Sequence, residues 1–223
     1  MTTPLLDCLE IETAPRPTHA VIWLHGLGAD ANDFAPIVPE LTQGIEHAVR
    51  FVFPNAPVRP VTINGGMAMR AWYDILLPGL AHREDAQGIR ASEEAVRALI
   101  ARENARGIAT SNIVLAGFSQ GSAMTLHTGL RLPEALAGMV ALSGYLPLLE
   151  LAAAERQPAN ARTPIFLAHG VFDPVVVLPR AEASRAQLQA LGCDVRWHTY
   201  PMPHSVCPPE IDDIRVFLSE VIG

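Results

Sequence analysis

The stretch that decides the fold is Gly117-Phe118-Ser119-Gln120-Gly121. An apolar run at 112–116 precedes it and is typical of a buried strand, while residues 120–132 have the pattern of a helix. On a sharp strand-to-helix turn a serine presents its hydroxyl outside the sheet, and the flanking glycines are needed because side chains there would collide with neighbouring backbone. The motif therefore predicts that Ser119 is a nucleophile.

Short apolar strands alternate with helical stretches along the rest of the chain. Further strands are predicted at 5–12, 20–24, 49–53, 138–142, 164–168 and 194–200, and further helices at 30–41, 84–106, 147–155, 178–191 and 208–221. This alternation predicts an α/β fold, a single domain over 1–223 with a mostly parallel, doubly wound sheet and helices on both faces. Residues 54–83, rich in proline and glycine, are expected to form a long irregular connection, which is often functional.

A serine hydroxyl needs a base, and in folds with this turn the acid and then the histidine follow the serine along the chain. The histidines downstream are His127, His169, His198 and His204. Only His204 follows the final strand in a loop at the carboxyl end of a strand, where parallel sheets hold their reactive groups. We therefore predict that His204 is the base, and interpret the other three as structural or surface histidines.

The acid is expected at a strand end between the serine and the histidine. Asp173 meets this condition because it lies in the turn after the strand at 164–168. Asp194 opens a strand at the opposite end of the sheet, and Glu150 and Glu155 lie in a surface-type helix. Asp173 is therefore predicted to hold one tautomer of the base and to stabilise its charged form.

A tetrahedral intermediate carries an oxyanion, which needs hydrogen-bond donors. One donor is expected from the backbone N–H of Gln120, at the start of a helix. The second is expected from Leu27 in the loop His25-Gly26-Leu27-Gly28, because the flanking glycines allow a close approach of backbone to substrate. The alternative is that this loop is an ordinary glycine turn.

Composition limits the remaining possibilities. The net charge of -7, without a run of basic residues, argues against a nucleic-acid partner. Three cysteines at irregular spacing suggest neither a disulfide framework nor a zinc site, so no metal or cofactor is predicted. Neither a signal peptide nor an apolar run of about 20 residues, the length of a membrane span, is found, so we expect a cytoplasmic protein without an integral membrane segment.

Taken together, the chain resembles the phospholipase/carboxylesterase family of α/β-hydrolases, which includes bacterial carboxylesterases and acyl-protein thioesterases. The segments that carry the resemblance are Trp23-Leu24-His25-Gly26-Leu27-Gly28, Phe53-Pro54-Asn55-Ala56-Pro57, Asn64-Gly65-Gly66-Met67, Ala71-Trp72-Tyr73-Asp74, Leu115 to Gly121, Leu142-Ser143-Gly144-Tyr145, His169-Gly170 with Asp173 and Val175-Val176, and Tyr200-Pro201-Met202 with His204. The sequence departs from the family pattern at Ser122, Pro174 and Pro203, and a proline directly before His204 stiffens that loop.

The resemblance implies the same catalytic residues and the same two backbone amides, an open site without a large lid domain, and often a homodimer. It also implies that Trp72 lies close to an acyl pocket. The candidate substrate-binding residues are Met67, Trp72, Leu76 and Val175. For the apolar residues of the connection at 54–83, the sequence leaves open whether they line a pocket or dock the loop on the core.

The expected function is hydrolysis of small to medium-chain carboxylic esters through an acyl-enzyme on Ser119, with a small-molecule ester as the partner. An alternative is an acyl-protein thioesterase or a lysophospholipase acting on long acyl chains. A third, from a different class, is a catalytically inactive scaffold that only binds ligand.

Overall fold

The computed structural model describes residues 5–76 and 84–223. Its strands are β1 (Cys8–Glu12), β2 (His19–Leu24), β3 (Val49–Pro54), β4 (Val58–Val61), β5 (Met67–Arg70), β6 (Ile113–Phe118), β7 (Gly138–Leu142), β8 (Ile165–Gly170) and β9 (Val195–Tyr200). Its α-helices are α1 (Val38–Leu41), α2 (Ala86–Ala105), α3 (Gln120–Arg131), α4 (Ala152–Glu155), α5 (Leu178–Ala190) and α6 (Pro208–Ile222). The alternation predicted from the sequence is present.

Seven of these strands form one sheet in the order β1-β3-β2-β6-β7-β8-β9. All neighbouring pairs run parallel except β1 and β3, which are antiparallel at the edge. The chain builds outward from β2 to one side and from β6 to the other, so the strand order reverses between these two. A crevice opens at the carboxyl ends of the strands at such a point, and ligands bind there.

Both faces of the sheet are covered, and the side chains of β2 alternate between them. Ile22 and Leu24 belong to the core that includes residues of α2 and α3, whereas Val21 and Trp23 belong to the core that includes residues of α1 and α6. All four side chains are buried, as expected for a central parallel strand with helices on both sides. The predicted layered α/β fold is confirmed.

The connection predicted as irregular contains a two-stranded antiparallel hairpin, so that part of the prediction is wrong. β4 and β5 pair from Val58 with Arg70 to Val61 with Met67. Gly65 and Gly66 make the turn with φ of +68° and +79°, a region that glycine enters freely. Pro60, together with these glycines, masks the strand pattern in the sequence. The end of the predicted connection, 77–83, lies outside the described residues.

Two predicted helices are shorter than expected. In place of a helix over 30–41 the chain forms a 3₁₀ turn at Ala35–Ile37 and the single turn of α1. Pro36 and Pro39 lack the N–H groups that a continuous helix would need there. The segment predicted at 147–155 likewise divides into a 3₁₀ turn at Leu149–Leu151 and α4. No helix in the described ranges has both the length and the apolar character for crossing a bilayer.

One buried carboxyl group lies at the start of α6. Glu210 is fully buried at the third position of this helix, whose apolar face includes Ile214, Phe217 and Leu218. Burial raises the pKa of Glu210 from 4.5 to about 8, and Asp213 acts in the same direction, while the Cys207 backbone opposes the shift. The carboxyl group is therefore protonated in the folded protein at neutral pH.

This burial makes the folded state less stable as the pH rises. Between pH 4.5 and about 8 the folded protein holds the Glu210 proton and the unfolded chain does not, so the stability that this proton contributes is lost progressively over that window. The change Glu210→Gln removes the titration. We expect the free energy of unfolding of the wild type, relative to that of the variant, to fall by about 1 kcal/mol per pH unit.

Urea unfolding at several pH values measures this difference. Glu94→Gln, at an exposed position on α2, is the control and is expected to keep the pH dependence of the wild type. Equal slopes for the wild type and Glu210→Gln would contradict the prediction.

Candidate active site

Ser119 occupies a strained turn between β6 and α3. Its φ of 55° and ψ of -115° lie where non-glycine residues are rare, and such strain persists only when the surroundings impose it. The Ser119 N–H donates to the Leu142 carbonyl at 2.8 Å, and its carbonyl accepts from the Ala123 N–H at 3.1 Å. The backbone on both sides is therefore fixed while the hydroxyl is left free to react.

Glycines allow three backbone segments to meet at this turn. A Cβ atom on Gly121 would collide with the Leu24 carbonyl at the end of β2, and one on Gly117 would collide with the backbone of Gly121. A Cβ atom on Gly144, after β7, would lie 2.8 Å from the Ser119 carbonyl oxygen. The glycines of the sequence motif are thus required by close contacts between backbones.

Three residues distant in the sequence meet at the carboxyl edge of the sheet. His204 Nε2 lies 2.8 Å from Ser119 Oγ, and His204 Nδ1 lies 2.6 Å from Asp173 Oδ2. The Asp173 side chain is fully buried and that of His204 is 16% exposed. Since a carboxylate only accepts, Nδ1 carries the proton and Nε2 accepts from the serine hydroxyl. We refer to these three residues as the triad.

The acid is held by its own loop. Asp173 Oδ1 accepts from the N–H groups of Val175 at 2.8 Å and Val176 at 2.9 Å, which leaves Oδ2 for His204. His169, interpreted from the sequence as structural, is fully buried and donates from Nε2 to the Val176 carbonyl at 2.7 Å. Burial lowers the pKa of His169, so this brace is a neutral imidazole.

The remaining downstream histidines lie outside the triad. His127 is fully buried within α3, with Nε2 3.0 Å from a carboxylate oxygen of Glu93. His198 stacks on the Phe166 ring at a centroid distance of 4.7 Å. Among the described residues no cluster of three or more His, Cys, Asp or Glu side chains has the arrangement of a metal site.

The two predicted oxyanion donors are free backbone amides. Neither the Leu27 N–H nor the Gln120 N–H has a hydrogen-bond acceptor within the described parts of the chain. Gln120 begins α3, so its amide also lies at the positive end of the helix dipole. Leu27 follows β2, the strand beside β6, and the two loops therefore start from adjacent points of the sheet.

His25 determines which way the Leu27 amide points. Its Nδ1 donates to the Gly26 carbonyl at 2.6 Å, and its Nε2 accepts from the Ala56 N–H at 3.0 Å. Gly26 O also accepts from the Ala29 N–H at 3.3 Å. In a trans peptide the carbonyl and the following N–H point in opposite directions, so fixing Gly26 O directs the Leu27 N–H to the other side. Burial lowers the pKa of His25, which favours the neutral tautomer that makes both bonds.

The Gln120 side chain connects these parts. Its Oε1 accepts from the Trp72 N–H at 2.7 Å, and its Nε2 donates to the Tyr73 carbonyl at 2.7 Å. Trp72 Nε1 then donates to the His25 carbonyl at 2.9 Å. The loops that carry the two free amides are thereby joined through one tryptophan, which lies between them.

A cavity of about 590 Å³ opens beside the triad. Ser119, His204, Leu27 and Gln120 lie on its wall. The other lining residues are Gly26, Ala29, Asp33, Ile63, Asn64, Tyr73, Ile75, Leu76, Phe118, Tyr145, Val175, Val176 and Arg180. Its volume falls within the range of small-molecule sites, roughly 300–1,000 Å³.

Two of the four predicted substrate-binding residues, Leu76 and Val175, line this cavity, and two do not. Met67 is 65% exposed on the hairpin and Trp72 is fully buried in the core, so their contact with substrate stays a prediction from the sequence. Both nitrogens and the carbonyl of Trp72 form hydrogen bonds, and the carbonyl accepts from the Ser92 hydroxyl. Trp72 therefore holds the surrounding loops in place.

Sequence reasoning missed four residues at the site: His25, Tyr73, Tyr145 and Arg180. His25 is the first residue of the loop that carries Leu27, and a histidine directly before Gly26 was a usable signal. The other three line the cavity but lie in separate segments of the sequence. No motif connects them, so only the fold brings them together.

Comparison with known proteins extends these observations over the whole chain. The family model described as Phospholipase/Carboxylesterase matches residues 6–222. Acyl-protein thioesterase 1 of Mycosarcoma maydis is 41% identical, with 93% of this chain and 92% of that protein covered. The protein of the same name from Neurospora crassa is 42% identical, with 95% and 90% covered.

Solved structures of other proteins have the same fold as this chain. Arabidopsis thaliana SOBER1 superposes with a TM-score of 0.85 at 28% identity, over 92% of this chain and 99% of that one. Zea mays acyl-protein thioesterase 2 gives a TM-score of 0.81 at 27% identity, over 96% and 99%. The predicted fold class is confirmed, and no large lid domain is inserted in the described parts of the chain. This chain belongs to the phospholipase/carboxylesterase family of α/β-hydrolases.

Proposed function

We propose that the protein hydrolyses acyl thioesters and esters through a covalent acyl-enzyme on Ser119, with acylated proteins as its preferred class of substrate. One observation carries the proposal. A continuous chain of hydrogen bonds joins the Asp173 carboxylate, the His204 imidazole and the Ser119 hydroxyl at the wall of a mostly apolar cavity. This is the arrangement that activates a serine for attack on a carbonyl carbon.

In the proposed reaction His204 Nε2 takes the Ser119 proton as Oγ attacks the carbonyl carbon. The resulting oxyanion accepts hydrogen bonds from the Leu27 and Gln120 amides. When the intermediate collapses, the bond to the leaving sulfur or oxygen breaks and His204 returns the proton to that atom. Water, activated by the same imidazole, then cleaves the acyl-enzyme and restores the serine, so the chain's own groups carry every step.

The proposed preference for long acyl groups is based on the names of the similar proteins. Four curated relatives at 36–42% identity are all named acyl-protein thioesterase 1. This supports the long-acyl alternative over the small-ester carboxylesterase expected from the sequence, which becomes the second candidate. The complete triad argues against an inactive scaffold. The single-domain organisation over 1–223, a homodimer and a cytoplasmic location stay predictions from the sequence.

The chain-length preference tests the choice between the two candidates. The wild type is expected to hydrolyse long-chain acyl thioesters with a higher kcat/KM than acetyl or butyryl thioesters, because longer chains bury more apolar surface in the cavity. Steady-state kinetics with one thiol leaving group and varied acyl chains measures this. A decline in kcat/KM with acyl length would instead favour the small-ester carboxylesterase.

Substitution of the nucleophile tests the mechanism itself. Ser119→Ala is expected to lose about 10⁴-fold or more in kcat while the fold is retained, because no group remains to form the acyl-enzyme. Ser122→Ala is the matched control: this serine is fully buried in α3 and its hydroxyl has no partner among the described residues. If both variants kept wild-type kcat, the proposed role of Ser119 would be wrong.

A third prediction concerns the orientation of the Leu27 amide. His25→Gln cannot bond to both the Gly26 carbonyl and the Ala56 N–H in the geometry of the ring, so the Gly26–Leu27 peptide loses its fixed orientation. We expect kcat to fall by roughly 10-fold to 100-fold with a smaller change in KM, less than the 10²–10³ typical of a lost oxyanion donor. His47→Gln, at an exposed position, is the control. A folded His25→Gln protein with unchanged kcat would refute this role.

A further inference from the structure

We propose that the cavity contains a subsite for a neutral oxygen atom on the acyl chain, formed by the hydroxyl groups of Tyr73 and Tyr145. The preferred acyl groups would then carry a hydroxyl, carbonyl or ether oxygen at one fixed distance from the thioester. This inference deepens the proposed function and rests on it.

The two hydroxyl groups form an isolated pair on the cavity wall. Tyr73 and Tyr145 both line the cavity, and their hydroxyl oxygens lie 2.8 Å apart. The residues are only 2% and 9% exposed, so their hydroxyl groups have little access to bulk water. Burial raises the pKa of both phenols, which keeps both protons in place at neutral pH.

Within the described residues, this pair has one hydroxyl hydrogen without an acceptor. Whichever hydroxyl donates to the other, the second hydroxyl still carries a hydrogen, and the described residues offer no acceptor for it. A buried donor without an acceptor is destabilising, and a hydrogen bond to an oxygen atom in the cavity removes that penalty. The pair therefore has a hydrogen to donate to a ligand oxygen in the cavity.

The nearest charged groups are already engaged with each other. The Arg180 guanidinium carbon lies 3.3 Å from the centroid of the Tyr145 ring, and its Nη2 donates to Glu84 Oε1 at 3.0 Å. The other carboxylate oxygen of Glu84 accepts from the Leu148 N–H. Because the Arg180 charge is offset in this way, the subsite favours a neutral oxygen over a carboxylate.

The cavity holds the acyl chain and not the leaving group. If the substrate is an acylated protein, the leaving group is a polypeptide, which is far too large for about 590 Å³. Besides the triad and the tyrosine pair, the cavity wall includes apolar side chains of Ile63, Ile75, Leu76 and Phe118, which suit methylene groups. An acyl chain that carries an oxygen beyond its first methylene groups matches a wall with both kinds of surface.

The test compares matched acyl thioesters that end in a methyl group or in a hydroxyl group, over a series of chain lengths with one thiol leaving group. The ratio of kcat/KM for the hydroxyl compound to that for the methyl compound is expected to be below one at most lengths, because the hydroxyl then faces an apolar wall. At one length it reaches the pair, and the ratio is expected to rise about tenfold, the effect of one net hydrogen bond.

The double variant Tyr73→Phe/Tyr145→Phe is expected to abolish this maximum. Each single variant retains part of it, because the remaining hydroxyl still has a hydrogen to donate. Tyr200→Phe is the matched control: its hydroxyl donates to Asp213 and it does not line the cavity, so the maximum is expected to stay.

Three results would overturn the subsite. The wild-type ratio could lack a maximum, or the maximum could survive in the double variant. A thioester that ends in a carboxylate could also have a higher kcat/KM than the one that ends in a hydroxyl group. Should the double variant fail to fold, the wild-type series and the two single variants still decide. Labelling by a fluorophosphonate probe separates the two proposals. If Ser119 of the wild type is not labelled, the proposed function fails, whereas labelling together with a flat ratio overturns only the subsite.

Discussion

The site depends on one contact between backbones, the packing of Gly121 in the first turn of α3 against the Leu24 carbonyl at the end of β2. No side chain fits between them. The contact brings the start of α3 directly against β2, beside Ser119, whose backbone has a conformation that non-glycine residues rarely adopt. It also places the Gln120 amide beside the loop that carries Leu27. The nucleophile and both candidate oxyanion donors therefore lie on the two segments that this contact between helix and strand brings together.

Hydrogen bonds then fix what this contact brings together. Buried neutral imidazoles act at two places, with His25 bonded to the Gly26 carbonyl and His169 bonded to the Val176 carbonyl in the loop of the acid. The Gln120 side chain and Trp72 connect the turn that carries Ser119 with the loop that carries Leu27. Since these groups are paired before any substrate arrives, little reorganisation is needed during the reaction, and preorganised dipoles are the largest contribution to catalysis in many enzymes.

The sequence predicts those features that rest on local chemistry or on strand order. The glycine pattern around Ser119 identifies the turn because backbone contacts demand it. Asp173 and His204 could be predicted because reactive groups follow strand ends, and the structure brings both side chains to Ser119. The hairpin β4–β5 was missed because proline and glycine hide its pattern. Trp72 was assigned to the pocket from a resemblance, but burial and hydrogen bonding place it in the core. The contact between Tyr73 and Tyr145 could not be predicted from the sequence, because the two residues are 72 positions apart and only the fold brings them together.

The structure of a fluorophosphonate adduct tests the central claim most directly, because the phosphonyl group occupies the position of the tetrahedral intermediate. We predict a covalent bond to Ser119 Oγ, with one phosphonyl oxygen about 2.7–3.1 Å from both the Leu27 and the Gln120 nitrogen atoms. His204 Nε2 is expected to stay within hydrogen-bond distance of the serine oxygen. An adduct on another residue, or a phosphonyl oxygen directed away from these two amides, would contradict it.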